Sequence, residues 1–241
     1  MRNAKRAVLM ILFVLILGRP SLGEKFLISP SGSKPSVSGN SLIWLEKGSL
    51  YFYSLARKEK TLICRDTVYC PAESPPALSG KVAVWTDERN IGDTKGGLFE
   101  EENYDVYGFN VETGSEFPVA TGPKRNYEPE IDGSTIVWND CDAVSVMDLE
   151  TGQIKAVNPS CGSKHHPVVS GKSLAFFQYG SSIYLHHLTY GASSHITRSE
   201  VYGSCRIGTN GRVVVWSDYR NGDPDTGRDI YGYDFLEEEE I

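Results

Sequence analysis

The sequence predicts an all-β chain built from five copies of one four-stranded unit. Three observations predict it. The stretch "VAVWTDERN" (82–90) returns almost unchanged as "VVVWSDYRN" (213–221). A ten-residue segment ending in Trp or Phe recurs five times. Past the apolar N-terminal run, no stretch has helical periodicity; short β-branched and aromatic runs alternate with Gly, Pro, Ser and Asp.

The N-terminus stands apart from these units. "MRNAKR" is basic, "AVLMILFVLILG" is apolar throughout, and the small residues Ser21 and Gly23 precede Glu24. That is the plan of a secretory signal peptide over residues 1–23, its apolar run short for a membrane span. An uncleaved signal anchor is the alternative. Cleavage would remove Arg2, Lys5, Arg6 and Arg19 and no acid, taking the formal charge from −7 to −11. An acidic secreted chain argues against nucleic acid or an anionic membrane surface as partner.

Aligned on the aromatic residue, the repeats read "PSVSGNSLIW" to Trp44, "PALSGKVAVW" to Trp85, "PEIDGSTIVW" to Trp138, "PVVSGKSLAF" to Phe176 and "IGTNGRVVVW" to Trp216. Each supplies two strands. A third follows in "LYFYSL" (50–55), "VYGFNV" (106–111), "VSVMDL" (144–149), "IYLHHL" (183–188) and "IYGYDF" (230–235). A fourth follows in "KTLIC", "EFPVA", "IKAVN" and "SHIT". The fifth copy stops short of its fourth strand, and "EKFLIS" (24–29) matches "EKTLIC" (59–64), the first copy's fourth strand. Four-stranded units at this spacing are the signature of a β-propeller. The expectation is one domain, 24–241, of five blades starting near 35, 76, 129, 167 and 207, the last blade closed by residues 24–29.

The motifs W-x-D-x-R-N (Trp85 to Asn90, Trp216 to Asn221) and "DIYGYD" (Asp229 to Asp234) resemble the blade repeats of TolB-type β-propellers of prokaryotic secreted and surface proteins. The resemblance covers nearly all of residues 24–241 and implies the fold. Such blades serve binding proteins, enzyme domains and envelope components alike, so it implies no single function.

Residues that recur read as framework. Asp87, Asp140 and Asp218 each sit two residues past the tryptophan, where a carboxylate can hold the following turn or pair with Arg89 or Arg220. His186 replaces an aromatic or Met of the third strand and reads as core, and His187 replaces a polar Ser, Asn or Asp at a turn. Residues that vary are the functional candidates. Lys34, Pro75, Glu128, His166 and Arg206 occupy one position just before the first strand and would ring one tunnel mouth, suiting a small anionic or zwitterionic ligand. Arg89 and Arg220 join Lys34, Glu128, His166 and Arg206 as ligand-binding candidates. The long loops 86–105 and 217–229 would wall a groove over the first blade.

The function expected is an extracytoplasmic binding module for a glycan, a cell-wall component or a protein partner at the cell surface. The alternative is a glycoside hydrolase-like enzyme using Glu130 and Asp132, two residues apart and about 7 Å apart on one strand face. No cofactor is expected, with calcium at Asp223, Asp225 and Asp229 as the one candidate metal. Five cysteines in an oxidising compartment suggest the bridges Cys64–Cys70 and Cys141–Cys161, Cys205 staying free, with Cys161–Cys205 as the alternative.

Overall fold

The computed structural model describes residues 25–65, 67–69, 75–90, 103–140, 143–157, 164–178, 182–197, 207–218, 229–237 and 239–240. Residues 31–241 form one compact unit of five antiparallel sheets, consistent with a propeller. The first sheet holds β1 (Ser33–Ser38), β2 (Ser41–Glu46), β3 (Ser49–Ser54) and β4 (Glu59–Cys64) in that order. The second holds β5 (Val68–Tyr69), β6 (Ala77–Ser79), β7 (Val82–Asp87), β8 (Asp105–Asn110) and β9 (Ser115–Ala120), with β5 and β6 both pairing β7. The third is β10 (Tyr127–Asp132), β11 (Thr135–Asn139), β12 (Val144–Asp148) and β13 (Ile154–Val157). The fourth is β14 (Lys164–Ser170), β15 (Ser173–Gln178), β16 (Ser182–His187) and β17 (Ala192–His195). The fifth is β18 (Ile207–Thr209), β19 (Val213–Asp218), β20 (Asp229–Asp234) and β21 (Glu239–Glu240).

The expected third strands lie within one residue of β3, β8, β12, β16 and β20. The completion of the last sheet differs from expectation. Residues 25–27 carry no strand, and β21 takes the place beside β20, pairing Tyr233 with Glu240 and Asp234 with Glu239. Closing the tight turn after Asp234 fixes only a few residues, whereas pairing with residues 24–29 would close a loop of some two hundred.

Apolar residues pack between successive sheets. Ile43, Leu50 and Phe52 of the first meet Leu78, Ala83 and Trp85 of the second. Val84, Val106 and Val119 meet Ile131, Ile136 and Trp138; Val137, Val144 and Val146 meet Leu174 and Phe176; Ala175, Phe177 and Ile183 meet Val214 and Trp216. In four sheets the recurring aromatic stacks on a Tyr of the next strand: Trp44 on Tyr51, Trp85 on Tyr107, Phe176 on Tyr184 and Trp216 on Tyr231, centroids 5.7–6.3 Å apart. In the third sheet Trp138 faces Ser145 instead, and its indole N–H donates to Asn126 Oδ1 at 3.2 Å.

The inner strands β1, β6, β10, β14 and β18 lie in sequence beside one another. Each ends in a turn glycine in left-handed backbone: Gly39, Gly80, Gly133, Gly171 and Gly211, φ between 55° and 87°. Three of these turns are tied to the sheet before. The Gly80 N–H donates to Ser38 Oγ (2.8 Å), Gly133 to Ser79 Oγ (3.0 Å) and Gly171 to Asp132 Oδ2 (2.7 Å).

Gly108 of β8 answers to a different constraint, because a Cβ there would overlap the Phe117 ring of β9. We expect Gly108→Ala to lower stability by about 1–3 kcal/mol through overpacking. Urea denaturation checks this, with Gly114→Ala as a control, since a Cβ there meets nothing and only its positive φ of 69° resists.

Candidate functional site

The repeated W-x-D-x-R-N motif is a structural cluster in the second sheet. Asp87 is fully buried; its Oδ2 accepts Trp85 Nε1–H (2.9 Å) and Thr67 Oγ–H (3.1 Å), and its Oδ1 accepts the Arg89 backbone N–H (2.9 Å). The Arg89 guanidinium donates to both Asp87 oxygens at 2.8 Å and to Glu116 at 2.6 and 3.0 Å, and lies 4.0 Å over the Tyr107 ring. Burial alone would raise the Asp87 carboxyl, but hydrogen bonds from Arg89 and Trp85 hold it below the usual carboxylate range. Arg89 is thus engaged within its own sheet and also donates to Cys64 Sγ of the first sheet at 3.4 Å. Asp140 also secures a turn, accepting Ala143 N–H (2.7 Å) and Ser145 Oγ–H (2.6 Å). Arg220 lies outside the described residues, as does the Asp218 side chain.

The same cluster holds Cys64. It is a buried free thiol, not bridged to Cys70; its Sγ sits 3.0 Å from Thr67 Oγ1 and 3.4 Å from Asp87 Oδ2. Burial pushes the thiol up, so little of it is thiolate. Cys70, Cys141, Cys161 and Cys205 lie outside the described residues.

Three of the five positions expected to ring a mouth share a backbone feature. Lys34, Glu128 and His166 all have positive φ (50°, 56° and 52°), a conformation costing a non-glycine residue about 1–2 kcal/mol. Each precedes a proline, and each falls where the ladder slips. Lys34 and Pro35 lie opposite Trp44, Glu128 and Pro129 opposite Trp138, His166 and Pro167 opposite Phe176. Two residues against one is a β-bulge, which bends the strand and re-aims side chains. The signal was present in the sequence, since a proline recurring inside a strand pattern marks an edge or a bulge.

Glu128 and His166 form a nearly buried pair. Glu128 Oε2 accepts the His166 backbone N–H at 2.8 Å, and Oε1 lies 3.6 Å from His166 Nδ1. The Glu128 N–H in turn donates to Thr86 Oγ1 at 3.2 Å, so second, third and fourth sheets are joined in series at this end. No sequence signal marked Thr86. Pro75 sits at the equivalent point of the second sheet, and Arg206 lies outside the described residues.

The two carboxylates of the enzyme alternative have different situations. Asp132 Oδ2 is the acceptor of Gly171 N–H, the task performed by Ser38 and Ser79 in the preceding sheets. Glu130 stands at the register position of Ala77 and Val168, which pack between sheets. Burial therefore pushes its carboxyl up to about 7, offset in part by the Ile131 backbone N–H. Such a group is half protonated near neutrality and can donate a proton.

Elsewhere, Asp229 is exposed and accepts the Tyr231 hydroxyl at 3.4 Å, while Asp223 and Asp225 lie outside the described residues. So do residues 91–102 and 219–228, the greater part of the two long loops. Among the described residues no group of three or more His, Cys, Asp or Glu is gathered to hold a metal. His186 is buried with Nδ1 2.8 Å from Ser193 Oγ, and burial lowers its pKa, as a core histidine requires. A groove of about 280 Å³, unmarked by any motif, opens between the third and fourth sheets. It is lined by Thr151, Gln153, Lys155, Lys172 and Thr189.

No family model matches the chain, and no curated protein matches it. Solved structures do match. An oligogalacturonate lyase in complex with manganese aligns with TM-score 0.57 at 15% identity, over 84% of this chain and 61% of that one. A protein described as TolB from Agrobacterium tumefaciens aligns with TM-score 0.56 at 16% identity, over 88% and 80%. The β-propeller domain of the Trilobed protease from Pyrococcus furiosus, described as having an open velcro topology, aligns with TM-score 0.56 at 11% identity, over 88% and 70%. The chain spans about three fifths of the length of the lyase. At these identities the likeness shows the fold alone: this chain is similar in architecture to TolB-like and oligogalacturonate lyase propellers.

The raised Glu130 value sets a direction for stability against pH. Between its ordinary value of 4.5 and about 7, the folded chain holds a proton that the unfolded chain has lost. Stability therefore falls as pH rises through that window, by roughly 3 kcal/mol for this group. Glu130→Val, which installs an apolar residue as in the neighbouring repeats, should raise the melting temperature at about pH 8 by several degrees and flatten this segment of the profile. Calorimetry from acid to alkaline pH checks both.

Proposed function

We propose that the five sheets are blades of a β-propeller that acts outside the cytoplasm as a binding module for a glycan, a cell-wall component or a protein at the cell surface. One observation carries the reading. The bulge opposite the recurring aromatic is the same in the first, third and fourth sheets, yet the residue it presents is Lys34, Glu128 or His166. A fixed backbone offering variable polar side chains is the arrangement of a recognition surface on a repeat scaffold. Strained backbone at those positions is the kind of feature found at ligand sites. The signal-peptide-like pattern of residues 1–23 and the acidic charge are what support an extracytoplasmic setting and a partner other than nucleic acid.

A second reading, hydrolysis of a glycosidic bond, is favoured by one group, since Glu130 has the protonation of a general acid near neutral pH. Its partner in that reading, Asp132, is held by Gly171 N–H. The two readings diverge on substitution. For the binding module, Lys34→Ala and His166→Ala each weaken retention on a glycan array by about tenfold, the loss of a polar contact of about 1.4 kcal/mol. Asp132→Ser keeps full function under this reading, because serine does the same work in the first two sheets. Under the enzyme reading, Asp132→Ser abolishes turnover in a hydrolysis screen of the same glycans. Array and screen run on one set of folded variants decide between them.

A further inference from the structure

The junction of the third and fourth sheets departs from the other three at one level. Each of the others carries a phenylalanine packed on its cluster at one of three register-related positions: Phe52 between the first and second sheets, Phe117 between the second and third, Phe235 between the fourth and fifth. Between the third and fourth sheets those positions hold Val146, Lys155 and Leu188, and the groove of about 280 Å³ is lined by all three. Thr135 stands in its wall where the second sheet has Val82, a residue packed on the apolar core. The groove lies at the turn-glycine end of the inner strands, because Lys172 and Thr135 closely follow Gly171 and Gly133. Glu128 and His166 stand at the other end of those strands.

The register also reveals an unmatched cation. Lys172 corresponds to Lys81 of the second sheet and Arg212 of the fifth. Lys81 lies 2.7 Å from Glu112 and Arg212 lies 2.7 Å from Asp234, each acid on the cation's own sheet. In the fourth sheet Thr189 takes the place of Glu112, and His187 that of Asp234. Among the described residues no carboxylate comes within ion-pair distance of Lys172. The Lys155 ammonium meets only the carbonyl of Leu188, at 3.1 Å. Asp148 is the one acid among the described lining residues, and its Oδ1 is taken by the N–H groups of Thr151 (3.1 Å) and Glu150 (2.8 Å). Those bonds hold its carboxyl below the usual range, so it stays ionised. Two ammonium groups and one carboxylate leave the groove with a single positive charge in excess.

We propose that this groove is a binding site for a small hydroxycarboxylate, its carboxylate held by Lys155 and Lys172 and its hydroxyls by Thr151, Gln153 and Thr189. The single excess charge matches a monoanion, whereas a phosphate carries more than one negative charge near neutrality. Threonine hydroxyls and a glutamine amide both donate and accept, as a ligand hydroxyl requires. Val146 and Leu188 give the carbon skeleton an apolar floor. The volume is close to the lower bound of small-ligand clefts, about 300 Å³, and admits a molecule the size of one sugar. The site is separate from the bulged positions and does not rest on the recognition role proposed for them.

Titration of the isotope-labelled chain with gluconate, followed by amide chemical shifts, tests the proposal. Saturable shifts at millimolar gluconate should centre on Thr151, Gln153, Lys155 and Lys172. Sorbitol, with the same hydroxyls and no charge, and inorganic phosphate, with charge and no carbon skeleton, should each bind about tenfold more weakly or worse. Lys172→Gln should weaken gluconate about tenfold and Lys172→Arg should restore it, both at an exposed position that leaves the fold intact. Lys81→Gln, the same change at the corresponding site of the second sheet, should leave the affinity unchanged. The proposal is overturned by a gluconate titration without saturable shifts, by shifts centred on Lys34 and His166 instead, or by sorbitol or phosphate binding as well as gluconate. Equal weakening by Lys81→Gln and Lys172→Gln also overturns it, since that reports the charge of the whole chain and not a site.

Discussion

The architecture depends on one small contact, the hydrogen bond from a turn glycine's N–H to the side-chain oxygen that ends the inner strand of the sheet before. Ser38, Ser79 and Asp132 are those acceptors, and the left-handed backbone of the glycine aims its N–H at them. Apolar packing supplies most of the attraction between sheets, but it is non-directional and would tolerate a sliding contact. A hydrogen bond at a fixed corner sets the register of one sheet against the next. With the corner set, the recurring aromatic falls over its tyrosine and the inner strand must accommodate an extra residue opposite it.

In the binding reading proposed above, that extra residue links framework to function. The bulge places Lys34, Glu128 and His166 at corresponding points of three sheets, and Glu128 also accepts the backbone N–H of His166. The same carboxylate is therefore a nearly buried joint between the third and fourth sheets. Asp132 has a double character, looking catalytic by residue type and serving as a hook by geometry.

Much of this was legible in the residues. The spacing of Trp44, Trp85, Trp138, Phe176 and Trp216 located every repeat, because one aromatic recurs in each sheet, and in four of the five it packs into an inter-sheet gap. The assignment of Asp87 and His186 to the framework followed from their register and agrees with their burial. What escaped was of two kinds. Some features depend on backbone conformation, as in the positive φ of His166, which residue type does not encode for a non-glycine residue. Others depend on competition between pairings: similarity of "EKFLIS" to "EKTLIC" could not weigh a distant strand against the nearby β21. The buried thiol of Cys64 belongs with these, since its surroundings come from three separate strands and turns. For Asp223, Asp225 and Arg206 only the sequence speaks.

The series of bonds from Thr86 through Glu128 to His166 has an evolutionary consequence. The identity of the residue at one mouth position alters the support of the backbone at the next, so neighbouring positions cannot drift independently. Replacing Glu128 to suit a different ligand would release the His166 amide and shift the imidazole with it. If this end is the proposed recognition surface, its specificity should therefore change by correlated pairs of substitutions in adjacent repeats, and lineages that retain one partner without the other should be rare.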